Sequence, residues 1–413
     1  MQINGWFFFI VIALVILWKV DYFTTLLNLK SLSPEVPKGF EDTFDAETYE
    51  QSQEYTRSRA VFGVAESVFS LVLFFVFWWL GGFGWLDSWV RGFNQGPIMS
   101  GLIFIGVLYV AFSLVTMPFQ IYSIFGIEEK FGFNKMSFGL YLADQAKGYL
   151  LAAVIGLPIL ALILWIFQAV PHAWLWGWGA TTAFSLLLAY VAPTLILPLF
   201  NKFEPLEDGE LKSEIHAMAE KCDYPLKEVT QMDGSKRSTK SNAFFTGFGN
   251  NKRIALFDTL IAKHTVPELV AVLAHEIGHF KKRHIVKGMV ISILTTGVLF
   301  FLLGRMMENR SLFDAFGVEQ TSVYVSLVLF GILMQPFGQI LGVAGNALSR
   351  KHEFEADAYA AKVTGEPDAM ISALKTLSKD NLSNLTPHPA YVFLNYTHPP
   401  VPERIAALRG TAP

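Results

Sequence analysis

Seven long apolar runs decide what this chain can become: Trp6 to Leu27, Val61 to Leu80, Ile98 to Met117, Tyr149 to Val170, Trp174 to Leu197, Val286 to Leu303 and Val323 to Leu341. Each approaches or exceeds the roughly 20 residues that carry a helix across a bilayer core. The expected class is a mainly α, polytopic membrane protein with seven transmembrane helices. Lys19 and Asp21 make the first run the weakest. It lacks the basic start and small-residue cleavage site of a secretory signal, so it reads as a span. Composition agrees: 52% of the residues are hydrophobic and 16% charged, against about 25% charged in a soluble domain.

With an odd number of spans, the N-terminus and the links after spans two, four and six share one side. That side holds only Arg91, Arg305 and Arg310 of 32 lysines and arginines. The remaining 29 (32 minus 3) belong to the other side or its membrane boundary, which the positive-inside rule makes cytoplasmic. The C-terminus falls on that side too. The single cysteine, Cys222, excludes an intramolecular disulfide and suits a reducing compartment; it reads as a small buried side chain.

Two polar stretches stand outside the runs and divide the chain into 1–200 (spans one to five), 201–285, 286–348 (spans six and seven) and 349–413. The first polar stretch opens with an expected helix, Glu210 to Cys222. Expected strands follow at Glu228 to Met232, Asn242 to Phe248 and Arg253 to Phe257, with turn chemistry at Asp233-Gly234-Ser235 and Gly249-Asn250-Asn251. Ser33 to Arg59 is polar and acidic and reads as a cytoplasmic helical hairpin, and Glu128-Glu129-Lys130 as a solvated loop.

Within the first polar stretch, from about Pro267 to Lys282, an apolar helix carries Leu-Ala-His275-Glu276-Ile-Gly-His279-Phe. Positions four apart share a helix face, so His275 and His279 can hold one zinc ion between them. Glu276 lies one step round, close enough to take a proton from a water at the metal. This is the H-E-x-x-H pattern of a metal-dependent peptidase. The preceding run, Leu269 to Ala274, is wholly apolar, so the helix is buried and its polar residues need partners.

A catalytic zinc usually has three protein ligands. Candidates for the third are His352, Glu353, Glu355 and Asp357. Glu353 and Asp357 are four apart and share a face, while Glu355 points elsewhere. A ligand at Glu353 leaves Asp357 to accept the free ring N–H of a metal-bound histidine. His284, five residues after His279, counts off the metal face and is expected to pack or bond locally. Near the C-terminus, Thr397-His398-Pro399-Pro400-Val401-Pro402 fixes a stiff path that aims His398; His388, between Pro387 and Pro389, is its rival.

These motifs, in this order, resemble the integral-membrane zinc CAAX prenyl proteases over nearly the whole length. The likeness includes Pro198 to Leu206, Asp233 to Ser238, Ser241 to Phe248, Asn251 to Leu260, the histidine motif, Glu353 to Asp357, His398-Pro399-Pro400, and the loop Ile127 to Asn134. The resemblance implies seven helices around an intramembrane chamber, closed on the cytoplasmic side by a gluzincin-like α+β zinc metalloprotease lobe. By position, His275, His279 and Glu353 are the implied zinc ligands and Glu276 the general base. His398 would stabilise the tetrahedral intermediate, a role for which Arg404 is the other candidate. Asn242, Ala243 and Phe244 would receive the substrate backbone on an edge strand. Phe244-Phe245-Thr246 departs from the more common tyrosine-bearing version.

The implied partners are a peptide or protein substrate, prenylated or otherwise lipid-bearing, and the lipid bilayer, with no nucleic acid and a monomeric chain. No endoplasmic-reticulum retrieval signal stands at Arg409 to Pro413, which leaves a bacterial inner membrane as open as the endoplasmic reticulum. Two other readings compete. A membrane quality-control protease shares the metal motif but usually has fewer spans. A transporter or channel would use polar residues within spans, here Glu66, Gln335 and Gln339, yet it needs no zinc site with its own base.

Overall fold

The computed structural model describes residues 1–246 and 252–410. Among them, seven helices are long and apolar enough to cross a membrane: Gly5–Lys30, Ala46–Trp79, Pro97–Glu128, Phe138–Ala169, Ala173–Leu199, His284–Met306 and Val323–Thr364. Hydrocarbon offers backbone amides no water, so each apolar run satisfies them by coiling. The first two spans are α1 (Gly5–Lys30) and α2 (Ala46–Trp79), and a short helix α3 (Gly82–Arg91) leads to the third.

The next three spans are interrupted. α4 (Pro97–Tyr122) runs into a π turn, Ser123–Glu128. α5 (Phe138–Leu151) and α6 (Leu157–Ala169) flank another at Ala152–Gly156. α7 (Ala173–Val191) unwinds through Ala192–Ile196 into a 3-10 turn at Leu197–Leu199. Pro118, Pro158 and Pro193 lie in or near these irregularities. Each removes a backbone donor from the ladder, which loosens the coil there.

The lobe is built from β1 (Phe203–Pro205), α8 (Glu210–Lys221), β2 (Leu226–Met232), β3 (Ala243–Thr246), β4 (Lys252–Phe257), α9 (Asp258–Lys263) and α10 (Val266–Lys281). The chain then leaves by α11 (His284–Met306), turns through α12 (Arg310–Ala315) and returns as α13 (Val323–Thr364). It ends with α14 (Pro367–Asp380), α15 (Pro389–Asn395) and α16 (Val401–Leu408). The sheet order is β1-β2-β4-β3, with β2 and β4 parallel and the outer pairs antiparallel. β3 is thus an edge, in register with Ala243 opposite Leu256 and Phe245 opposite Ile254. The expected strand over Asn242 to Phe248 begins at Ala243, and residues 247 and 248, like the turn at 249–251, lie outside the described residues.

One core binds the lobe together: Ile215 and Ala219 of α8, Ile254 and Leu256 of β4, Leu273, Ala274 and Ile277 of α10, and Ala360 of α13. A second, at the opposite pole, gathers Ile10, Trp78, Phe83, Phe104, Phe313, Phe316 and Tyr324 from four spans and two short helices. Between the poles the spans bury little of one another. The buried share of each span's most apolar stretch is 22% or less.

The expected hairpin between Ser33 and Arg59 does not form. Pro34, Pro37 and Gly39, the last at φ +86°, break the first half. Phe40 and Phe44 then anchor the loop against Met370 and Leu374 of α14, and Lys375 bonds both Asp42 oxygens at 2.8 Å. The second half is simply the start of α2.

α13 has 42 residues, about 63 Å of helix at ~1.5 Å per residue, roughly twice a ~30 Å hydrocarbon core. Its C-terminal half therefore stands in the lobe and packs on α10. Gly278 permits the contact: a Cβ there would meet the Cα of Ala356 at 3.1 Å and its carbonyl oxygen at 3.2 Å. Gly278→Val is expected to destabilise the protein by about 1–3 kcal/mol, the usual effect of overpacking. Gly288→Ala, where a Cβ meets nothing within 4 Å, should not. Thermal unfolding in detergent checks the pair.

Candidate metal centre

The site grows from two helix faces. α10 starts at Thr265, whose backbone N–H donates to Glu268 Oε2 at 2.9 Å, with Pro267 in the first turn where its missing N–H does no harm. Three turns on, His275 and His279 look the same way, and their Nε2 atoms lie 3.1 Å apart. Glu353 of α13 faces both: Oε2 is 3.4 Å from His275 Nε2 and Oε1 is 3.3 Å from His279 Nε2. One donor atom from each of the three lies within 4.8 Å of the other two.

The set fits a metal ion by its donor chemistry. His275 Nδ1 is 2.8 Å from Asp357 Oδ1, so Nδ1 carries the proton and Nε2 points a lone pair inward. His279 reaches the same state by a longer route. His284 Nε2 donates to Glu355 at 3.0 Å, leaving its Nδ1 to accept from His279 Nδ1 at 3.1 Å. Both inner nitrogens are then acceptors facing one another, and Glu353 Oε2 is buried without a hydrogen-bond partner among the described residues. Three acceptors turned on one point call for a cation.

Charge supports the same conclusion. Arg404 of α16 is buried and bonds Asp357 in bidentate fashion, Nε to Oδ2 at 2.8 Å and Nη2 to Oδ1 at 2.7 Å. That pair neutralises itself and leaves Glu353 against the two histidines, with Glu276 near enough to feel their charge. Burial works against a charged His275 ring, but the neighbouring Asp357 and Glu353 carboxylates outweigh it and push its pKa up to about 9, so the inner nitrogen takes up a positive charge, as a proton or as the metal ion that replaces it. Burial also lifts Glu276 above the usual carboxylate range, with His275 and His279 pulling it back.

His398 stands at the open side. Its side chain is 62% exposed, Nε2 lies 3.5 Å from Glu353 Oε1, and Nδ1 is 2.9 Å from Thr397 Oγ1. A cavity of about 680 Å3 begins there and runs to α1 and α2. Arg404 departs from the expected substrate-facing position. It lies behind the centre, committed to Asp357, with Nη1 3.4 Å from Glu353 Oε2. His388 is elsewhere, accepting the N–H of Ala390 at the start of α15.

On the sheet edge, Ala243 and Phe245 pack towards the lobe core, while Phe244 turns onto Phe203. Asn242 precedes the strand. Its side chain accepts from the Ala243 N–H at 2.8 Å and its carbonyl accepts from Phe257 N at 3.2 Å. His284 bonds locally, as expected, but the spacing does not reveal His279 as its partner, because the count of five assumes one continuous helix. α10 ends at Lys281 and Arg283, at φ +57°, redirects the chain.

Residues 25–202 match the family described as CAAX prenyl protease N-terminal, five membrane helices, and residues 205–412 match peptidase family M48. A CAAX prenyl protease 1 of Saccharomyces cerevisiae is 36% identical, covering 94% of this chain and 91% of the relative. A human CAAX prenyl protease 1 homolog is 32% identical over 96% and 93%. The crystal structure of S. mikatae Ste24p superposes with a TM-score of 0.93 at 34% identity, over 98% of this chain and all of the other. Neither the quality-control nor the transporter reading is favoured by these matches.

Arg404→Met would leave Asp357 ionised and buried with the His275 ring N–H but no longer the guanidinium as its partner. Removing one partner of a buried ion pair typically destabilises by about 3–5 kcal/mol, and denaturant unfolding is expected to show a loss in that range. The second substitution Asp357→Asn on top should recover part of it.

Proposed function

The chain belongs to peptidase family M48, as a multi-pass membrane metalloprotease, and from that premise we propose that it is a zinc endopeptidase cutting near the C-terminus of prenylated CAAX-type peptides. The observation that carries this is the convergence of His275, His279 and Glu353 beside Glu276, on a lobe continuous with the membrane spans. Two nitrogens and a carboxylate oxygen are the donor types of catalytic zinc sites.

His275, His279 and Glu353 would hold the ion. When bound, zinc supplies Lewis acidity to a water and to the scissile carbonyl. Glu276 takes the proton of the attacking water and passes it to the leaving amine. Asp357 and His284 hold the two imidazoles in the ring orientation and tautomer described above. His398, exposed at the mouth, donates to the developing oxyanion.

The substrate backbone is received along β3 as an added strand, next to Asn242, Ala243 and Phe244. Main-chain pairing reads few side chains, so sequence tolerance is broad. The lobe faces the cytoplasm, in keeping with the placement of the basic residues.

Glu276→Gln is expected to keep metal and fold while losing about 10²–10⁴-fold in turnover, the range of general-base catalysis. Cleavage of a farnesylated CAAX peptide by purified protein, with metal content measured in parallel, checks this; turnover within tenfold of wild type contradicts it. A chelator should abolish cleavage by the wild type. The unmodified peptide should show a higher KM more than a lower kcat, because the lipid contributes alike to ground and transition states.

A further inference from the structure

The cavity that begins at His398 has two chemically distinct walls. Among the described residues, Arg59 of α2 is the one lysine or arginine on its lining and Asp21 of α1 the one carboxylate. Two positions earlier on α2, Arg57 lines a separate groove instead, with Val61, Phe62 and Lys130. The two arginines therefore face opposite sides of the helix, and only one looks inward.

Arg59 keeps its charge for something else. Its Nη1 donates to Ser123 Oγ at 2.6 Å and stands 3.6 Å from Glu128 Oε1. Glu128 is already matched: Lys240 Nζ donates to Oε2 at 2.8 Å and the Tyr55 hydroxyl to Oε1 at 2.7 Å. Arg59 and Lys240 contribute +2 against −1 from Glu128, a surplus of one positive charge. Arg59 Nε and Nη2 have no hydrogen-bond acceptor among the described residues, and the side chain is 48% exposed. A guanidinium steadied at one nitrogen, with the rest of its fork free, suits a carboxylate.

The direction of the substrate agrees. A peptide added antiparallel to β3 carries its C-terminal end towards Asn242 and the residues before it. Lys240 is two residues before Asn242, and it bonds both Tyr55 and Glu128 beside Arg59. Extended chain rises ~3.3 Å per residue, so a few residues past the cut span about 10 Å. The segment is firmly seated there: Lys135 N–H bonds the Arg237 carbonyl at 3.0 Å, and Thr239 N–H bonds the Phe133 carbonyl at 3.0 Å.

We propose that Arg59 binds the free C-terminal carboxylate of the substrate peptide, so that distance from the chain end selects the bond that is cut. The proposal rests on the reading of the enzyme as a C-terminal processor. It gives a function to the Glu128 loop, which holds the arginine from behind.

The test uses the purified full-length enzyme and one farnesylated peptide in two forms, free acid and C-terminal amide. Wild type is expected to favour the acid through KM, by roughly 10–100-fold, the range of a hydrogen bond to a charged group. Arg59→Gln should bring the acid-to-amide ratio near one, and Arg59→Lys should restore part of it. Arg57→Gln, which removes the same charge outside the cavity, should keep the wild-type ratio.

Equal cleavage of acid and amide by wild type overturns the proposal, as does an intact ratio in Arg59→Gln. The wild-type comparison needs no variant, so it decides the matter even where Arg59→Gln misfolds. Failure to cut either form, with internal sites of a long peptide still cut, overturns the C-terminal reading beneath it as well.

Discussion

α10 and α13 meet where neither has a side chain to spare. Gly278 lies against the backbone of Ala356, and that contact sets His275 and His279 opposite Glu353 and Asp357. The partners His275 and Asp357 are 82 residues apart in sequence. Between them the chain leaves the lobe as α11, crosses, and returns as α13. The metal centre is therefore completed by a membrane helix: α10 of the lobe bears the two histidines, and α13, the last span, brings Glu353 to them. Relative movement of spans six and seven would be felt at the donor atoms.

Buried charge is held here for geometry more than for stability. An ion pair such as Arg404–Asp357 is weak evidence of stabilisation, since desolvation offsets most of its attraction. Its effect is to fix the acceptor that sets the tautomer of His275. His284, in the first turn of span six, and Glu355 of α13 do the same for His279. Each inner nitrogen is thus oriented by an outer carboxylate, one directly and one through a second imidazole. His398, by contrast, stays in the open cavity, where a substrate reaches it.

Much of this is legible in the sequence itself. Apolar length located the spans, because helices across hydrocarbon leave a continuous mark. The spacing of four paired His275 with His279 and Glu353 with Asp357, because helical periodicity is local. What escaped was contact between distant segments. Tyr55 meets Glu128 across 73 positions and Lys240 across 185, with no periodic trace of either. The loop before α2 was misread because its polar residues hid Phe40 and Phe44, which the fold buries. His284 bonds locally and stays out of the donor set, as its count implies, but its partner His279 is hidden because one left-handed residue, Arg283, ends the helix on which the count relies. Arg404 is in the site, but only the fold shows that it faces Asp357 rather than the cavity.

The central claim, that Glu353 completes the metal site while Glu355 only braces it, is tested most directly by metal content. Wild type, Glu353→Gln and Glu355→Gln would be purified and their bound metal measured after dialysis at graded free zinc. The account predicts one equivalent in wild type, loss of bound metal in Glu353→Gln, and retention in Glu355→Gln with affinity lowered by about 10–100-fold at most. Metal retained in Glu353→Gln and lost in Glu355→Gln would contradict it.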